Sequence, residues 1–447
     1  MSADEPLQEI DEPTEPTAVL LIGDGDLTDE TARALEASHA RVIRLHEPEE
    51  QQVRAALEDE QIAHVAVVAL SDAIVLRIAL MVRSVSDEVP LLLTVFDPNM
   101  VEQVAKMVPR TQFTSLADIV APSLAGPCVD ERYTAVAIKN GTPVGIVEQD
   151  GGVVQEPIEL FRPRRIEGFA RALFTPYDKS AGMLLFGALG LIAIFALETV
   201  TAVFTLDQNV IDATYGSAKT LVTVDPNPDV AKGPGWYKLF TSATMIIALG
   251  FAAAFTAGLV NRVVERRLTG LFGRRAVPRR DHVVVVGLGQ VGMRLCMLLR
   301  ACNIPLVAVE SDEDGESVGI AKELGLPVVI GRGADPSLMR RLSLPRARAV
   351  AAVTSDDLEN ISVAMTARGI HQDIRTVLRV GDGNVANETR SLLALGLVRD
   401  VNRLAATLLA AKILGEDAES VVCVDDRAHL RYPDGRLEPA RIDALAR

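Results

Sequence analysis

Residues 282–301 read HVVVVGLGQVGMRLCMLLRA. Four valines after His282 form the β-branched run of a buried strand. The turn Gly287-Leu288-Gly289-Gln290-Val291-Gly292 follows, and Met293 to Ala301 has helical composition. Strand, glycine turn and helix in this order predict the opening unit of an open, parallel α/β sheet. The three glycines serve different ends. Gly287 permits the tight turn, Gly289 lets the backbone approach a phosphate, and Gly292 lets the helix pack close to the strand. The second strand, Pro305 to Val309, ends at Glu310, followed by Ser311. A carboxylate there accepts hydrogen bonds from both hydroxyls of an adenosine ribose and disfavours a 2′-phosphate. An adenine-nucleotide site is therefore expected, the alternative being a turn kept for packing alone.

Downstream, strands are expected at Pro327 to Ile330, Ala349 to Val353 and Thr376 to Val380. The loops after the first two, Gly331-Arg332-Gly333-Ala334-Asp335 and Thr354-Ser355-Asp356-Asp357-Leu358-Glu359-Asn360, fall at carboxyl ends of strands, where such sheets form their ligand crevice. From His282 to about Val401 the sequence resembles the cytosolic nucleotide-binding domain of the TrkA and RCK family, which regulates potassium channels and transporters. That family usually has Gly-Asp-Ala-Thr after its third strand, an acidic Ser/Thr-Asp-Asp stretch ending in Asn after its fourth, and an Arg after its fifth. Here stand Gly331-Arg332-Gly333-Ala334, then Ser355-Asp356-Asp357 with Asn360, then Arg379. Arg332 replaces the family's Asp and adds a cation at the adenosine end. The resemblance implies a regulatory nucleotide, NAD(H) or another adenine nucleotide such as ADP or ATP, held by Gly287 to Gly292, Glu310, Ser311, Arg332, Thr354, Ser355, Asp356, Asn360 and Arg379.

Upstream lie two apolar segments, 180–206 and 239–260, whose only ionisable residue is Glu198. Each exceeds the roughly 20 residues that cross a bilayer, and neither has the polar face of a surface helix. Arginines crowd the outer flanks, at 162, 164, 165 and 171 and again from 262 to 280, whereas the connection carries only Lys219, Lys232 and Lys238. By the rule that cationic loops stay inside, both soluble parts and both termini are expected in the cytoplasm, with the hairpin in the plasma membrane. A first span near residue 180 is not expected to be a cleaved signal peptide.

The connection, 211–228, opens with a stretch that suits a short helix, with Asp212 near its N-terminus. Span, short re-entrant helix, extended stretch and span together resemble the pore module of two-span potassium channels. Where that family has Thr-Leu-Thr-Thr-Val-Gly-Tyr-Gly-Asp, this chain has Thr220-Leu221-Val222-Thr223-Val224-Asp225-Pro226-Asn227-Pro228. Both filter glycines are lost, and the prolines restrict the backbone that would aim carbonyls at an axis. Two readings stay open. A four-fold ring of Asp225 would attract monovalent cations, or the loop is a plug and the hairpin a non-conducting anchor for a nucleotide sensor beside a separate transporter. The resemblance implies a homotetramer with a cytoplasmic ring of nucleotide-binding domains.

The N-terminal part reads as a weaker copy of the same unit. Strands are expected at Ala18 to Ile22, Arg41 to Leu45, His64 to Leu70 and Leu91 to Val95, with a helix near Ala73 to Val85. Aligning Gly23 with Gly287 puts Gly25 on Gly289, Thr28 on Gly292 and His46 on Glu310; Asp24 and Asp26 would repel a pyrophosphate. This copy is expected to be structural. Asn140-Gly141 between alternating runs signals a hairpin.

The expected organisation is an acidic leader, 1–17; a degenerate Rossmann-like domain, 18–125; a small β subdomain or linker, 126–176; the two-span module, 177–262; a basic linker, 263–280; the nucleotide-binding domain, 281–416; and a polar tail, 417–447. A formal charge of −15, from 60 acidic and 45 basic residues, argues against nucleic acid as a partner. The four cysteines lack metal-ligand spacing, so neither a zinc site nor a disulfide is expected. No acid, base and nucleophile converge in the sequence, so an enzyme is not expected; a membrane-tethered NAD-dependent oxidoreductase would need a substrate domain that is not identifiable.

Overall fold

The computed structural model describes residues 18–158, 179–222, 228–264, 277–424 and 427–444, apart from positions 60, 70, 96–100, 102–104, 106, 107, 109, 140, 150, 151, 279, 384, 387, 390–394 and 443. The chain divides into two units, one formed by 1–162 with 279–447 and the other by 163–278.

The N-terminal lobe of the first unit alternates β1 (Ala18–Gly23), α1 (Asp26–Ala37), β2 (Arg41–Leu45), α2 (Glu50–Asp59), β3 (Ile62–Val68), α3 (Asp72–Val85), β4 (Leu91–Thr94), β5 (Thr111–Thr114) and α4 (Leu116–Val129). Its five strands are parallel, in the order β2-β1-β3-β4-β5. Leu20, Ile22, Val65, Val67 and Leu93 from the central strands pack with Val75, Ile78 and Val82 of α3 in one core. β6 (Tyr133–Lys139), β7 (Thr142–Gln149) and β8 (Gly152–Pro157) then form an antiparallel meander, in which β6 and β7 are the expected hairpin.

The second unit is described by α5 (Lys179–Leu206), α6 (Val210–Leu221), a 3₁₀ turn at Pro228–Lys232 and α7 (Gly235–Val264). Stretches Met183–Leu206 and Gly235–Val260 are long and apolar enough to cross a membrane. Their outer faces are bare: Phe204 is 84 % exposed, Leu239 75 % and Ile246 73 %. A soluble core helix would cover such side chains, whereas lipid solvates them. Small residues bring α5 and α7 together. A Cβ on Gly187 would stand 2.6 Å from the Phe255 amide nitrogen, and one on Gly258 would stand 2.7 Å from that of Leu184. α6 is capped by Asn209, whose side chain accepts from the Ile211 amide (3.3 Å). Gln208 donates to Asp229 (2.7 Å), tying together the two ends of the connection.

The C-terminal lobe runs β9 (Val283–Val286), α8 (Gln290–Ala301), β10 (Leu306–Glu310), α9 (Glu316–Glu323), β11 (Val328–Ile330), α10 (Pro336–Arg341), β12 (Ala349–Ala352), α11 (Asp357–Ile370), β13 (Arg375–Val380), β14 (Leu397–Asp400) and α12 (Val401–Ile413). Its six parallel strands follow the doubly wound order β11-β10-β9-β12-β13-β14. β15 (Ser420–Val424), β16 (Arg427–Arg431) and β17 (Leu437–Pro439) close the chain as a second antiparallel meander, where only a motif-free tail was expected.

Both lobes are Rossmann-like, and the repeat extends further than the sequence suggests. Each consists of a parallel sheet, a final helix and a three-stranded meander. The N-terminal copy lacks the strand that corresponds to β11, so its α2 leads directly into the strand equivalent to β12. The final helices are exchanged. α4 packs on α8 of the other lobe, and α12 packs on α1. α12 therefore pairs the lobes. The meanders also meet, with Ala135, Ala137 and Ile146 against Val422 and Val424, and Gln155 donating to the Gly435 carbonyl (2.8 Å).

α4 runs across the expected division at 125/126 and contains Pro122 and Pro127. Its C-terminal carbonyls find donors in the other lobe. Arg348 reaches Val129 O (2.5 Å) and Arg375 reaches Pro127 O (3.1 Å), as cations at a helix C-terminus should. Arg294 pairs with Asp118 at 2.6 Å, and Arg403 lies 3.5 Å from Glu30. All four cysteines are free and buried, and burial pushes the Cys128 and Cys296 thiols up to about 12, in keeping with packing roles.

Candidate functional site

The C-terminal lobe builds its crevice where strand order reverses, between β9 and β12. At Gly287 the backbone turns with φ 93°, and a Cβ there would meet the Thr354 amide nitrogen at 2.8 Å. A Cβ on Gly292 would stand 1.9 Å from the Gly287 carbonyl oxygen, so only glycine lets α8 begin this close to the turn. Around Gly289 nothing lies within 4 Å of an added Cβ. The three glycines thus divide into two that the fold requires and one that faces open space, as expected for a turn that receives a phosphate. Leu288 and Val291 are buried, and Gln290 opens the helix.

Glu310 closes one side. Its Oε2 accepts from the Leu288 amide (2.8 Å), and its Oε1 accepts from the Ser311 amide (2.7 Å), the Ser311 hydroxyl (3.1 Å) and the Asp312 amide (3.2 Å). A carboxylate with this many donors is fixed in place, so it is an acceptor ready for ligand hydroxyls. The Gly331 amide donates to the Glu310 carbonyl (2.8 Å), which joins the next loop to the same corner. Arg332 and Ser311 are exposed there.

The other side rests on Asn360, fully buried in the first turns of α11. Its Oδ1 accepts from both the amide and the hydroxyl of Thr354 (2.9 Å each), while its Nδ2 donates to the carbonyls of Thr354 and Arg379 (3.0 Å each). One amide side chain thereby locks the ends of β12 and β13 together. Asp356 caps α11, accepting from the amides of Leu358 (2.9 Å) and Glu359 (3.1 Å). Arg379 is half-buried in β13, and burial lowers its guanidinium from the ordinary value against the opposing field of Asp357. Asp357 instead accepts from the amides of Gly381 (3.0 Å) and Asp382 (3.1 Å). Asn360 and Arg379 therefore belong to the frame of the crevice, and Glu310, Gly289 and Thr354 to its mouth. The Asp357 contact to the loop after β13 was not read from the sequence, because acceptors of loop amides carry no spacing signal.

The equivalent corner of the N-terminal lobe is filled by its own side chains. A Cβ on Gly23 would stand 1.9 Å from Val68 O, and the Thr28 hydroxyl donates to Val68 O and Asp24 O (3.2 Å each). His46, at the Glu310 position, lies 2.5 Å from Asp24. The acid has changed place relative to the other lobe: it is on the turn, and an imidazole ring is at the strand end. An incoming phosphate would face Asp24.

In the membrane unit, Thr220 is buried in the last turn of α6 and its hydroxyl donates to Gly216 O (3.1 Å). Thr223, Val224, Asp225, Pro226 and Asn227 lie outside the described residues. Glu198 is 3 % exposed and accepts from the Thr244 hydroxyl across the helix pair.

A family model for the TrkA-N domain matches residues 283–394. The match spans β9 through the loop after β13, and so includes the whole crevice. The chain is similar to Potassium channel protein 1 of Methanocaldococcus jannaschii, 23 % identical over 202 residues that cover 43 % of this chain and 59 % of that protein. It is also similar to the Voltage-gated potassium channel Kch of Escherichia coli K12, 21 % identical over 221 residues, covering 48 % and 52 %. The chain spans about half the length of the curated relatives it matches. These two relatives are named channels, not enzymes. Among solved structures, the GsuK channel superposes with a TM-score of 0.50 at 15 % identity, covering 90 % of this chain and 64 % of that one, a likeness of fold.

Proposed function

We propose that the protein is a cation channel, or a channel-like membrane protein, of the potassium type, regulated by an adenine nucleotide bound at the TrkA-N crevice. The observation that carries the reading is the Glu310 carboxylate, held by the Leu288 amide beside the open Gly289 position, in a chain with two bare apolar helices around a capped short helix. Glu310 takes the ribose hydroxyls, the amides around Gly289 and Gln290 take the phosphates, and Ser311, Arg332, Thr354, Ser355 and Asp356 border the remaining length of the ligand. NAD(H) or ADP fits this polarity, and a 2′-phosphate does not.

Four subunits surround the pore in this reading, with the nucleotide-binding lobes as a cytoplasmic ring beneath the plasma membrane and both termini inside. The nucleotide favours one arrangement of the ring, and 261–280 carries that bias to the second span. Only a differential affinity for the two arrangements can do so, and couplings of about 1–3 kcal/mol are usual. The missing filter glycines favour a second reading, an anchored sensor without a pore, which predicts nucleotide binding with no flux and a co-purifying transporter. Titration of the purified chain with NAD, NADH, ADP and ATP, alone and with Gly289→Asp, tests the site. Saturable binding lost in the variant is expected; binding that ignores the variant would move the ligand elsewhere.

A further inference from the structure

A cleft of about 530 Å³ lies between the lobes of the first unit, far from the crevice. Its walls are the end of α4 and the start of β6 on one side and the amino ends of β13 and β14 on the other, whereas nucleotide is expected at the carboxyl ends of the strands. Arg368, Arg375 and Arg399 line it together with Glu131 and Asp373.

The two best-defined cations differ. Arg375 is committed to the protein, through Pro127 O (3.1 Å) and Glu131 (3.4 Å). Arg399 is only 6 % exposed, its Nη1 meets nothing better than the Cys423 sulfur (3.4 Å), and its Nε has no hydrogen-bond partner. Among the described residues no carboxylate lies within ion-pairing distance of it. A guanidinium stays charged at any physiological pH, and a thiol is a weak acceptor, so among the described residues this buried cation has no carboxylate opposite it. The related cleft on the other side of the repeat, about 720 Å³ between β4, β5 and the end of α12, differs in this respect. Its Lys412 lies in the field of Asp417 and Glu419.

We propose that the arginine cleft binds a small oxyanion metabolite, carrying a phosphate or a carboxylate, with Arg399 and Arg368 as its principal cations. The guanidinium fork matches either group in a bidentate manner, and the volume suits a compact ligand. Because the walls come from both lobes, occupancy clamps the end of α4 to β13 and β14, giving the protein a second effector site separate from the nucleotide.

The test is calorimetric titration of the full-length protein in detergent with inorganic phosphate and, separately, with succinate, at ionic strength held constant with chloride. Wild type, Arg368→Ala and Arg399→Leu are compared. Saturable binding of at least one probe is expected, weakened at least tenfold by Arg368→Ala and abolished by Arg399→Leu; which probe binds identifies the oxyanion. If Arg399→Leu does not fold, Arg368→Ala decides alone. No saturable binding by wild type, or affinity within twofold of wild type in every folded variant, would overturn the proposal.

Discussion

Replacing Glu310 by glutamine separates its charge from its geometry. The glutamine oxygen can still accept from the Leu288 amide, now at 2.8 Å from Oε2, so the turn keeps that partner. The second oxygen, which now accepts from the Ser311 amide at 2.7 Å and the Asp312 amide at 3.2 Å, becomes an NH₂ group facing those donors. Ribose hydroxyls then lose an ionised acceptor. Charge-assisted hydrogen bonds are about twice as strong as neutral ones, so two hydroxyl contacts should together lose about 1–2 kcal/mol, or roughly 5- to 30-fold in affinity. The same change removes the repulsion of a 2′-phosphate, so preference for NAD over NADP should narrow from both sides. Calorimetry on the purified chain reads both ligands. An NAD affinity within twofold of wild type, in protein with an unchanged thermal midpoint, would refute the assignment of Glu310 to the ribose.

Three further outcomes are expected. Gly292→Ala places a methyl group 1.9 Å from the Gly287 carbonyl oxygen, so α8 must move, costing about 1–3 kcal/mol of stability together with nucleotide affinity; an unchanged thermal midpoint would contradict the packing. His282 is fully buried with Nε2 3.0 Å from Leu342 O, and burial holds its pKa down at about 4. The unfolded chain therefore binds the extra proton between about pH 6.5 and 4, and stability present above that window falls by about 3 kcal/mol as pH drops through it. A His282→Asn variant should show a flatter acid limb in thermal unfolding than wild type, and equal slopes would contradict this. Glu30→Ala leaves Arg403, 13 % exposed and otherwise paired only with Asp400 (3.4 Å) among the described residues, with less compensation between the lobes. A loss of about 1–3 kcal/mol is expected in chemical unfolding, and none if the exchanged helices do not meet there.

The C-terminal lobe is legible in the sequence because its local signals agree. A valine run, three spaced glycines and a strand ending in Glu310 all describe one corner, and the structure closes that corner with the bond from Leu288. α4 was harder to read. Every residue of Leu116–Val129 except Asp118 and Pro122 is buried, since both lobes cover it, so it lacks the polar stripe that marks a helix, and its two prolines suggest a break. The closing meander was missed for a related reason. Val422 and Val424 find their partners in Ala135 and Ile146, far away in the chain, and no local pattern reveals a repeat that is completed by exchange. The His46–Asp24 contact shows the opposite case: aligning the two turns placed His46 on Glu310, and the structure shows how that substitution fills the corner.

The central claim is a cation pathway controlled by nucleotide, and the most direct measurement is cation flux into liposomes that contain the purified protein. Potassium and sodium are compared, with NAD, ADP and ATP each present or absent. The account predicts a potassium flux that changes with nucleotide and loses that response in Glu310→Gln at nucleotide concentrations that saturate wild type. Folded, nucleotide-bound protein that passes neither ion in any condition would contradict it and leave the anchored sensor.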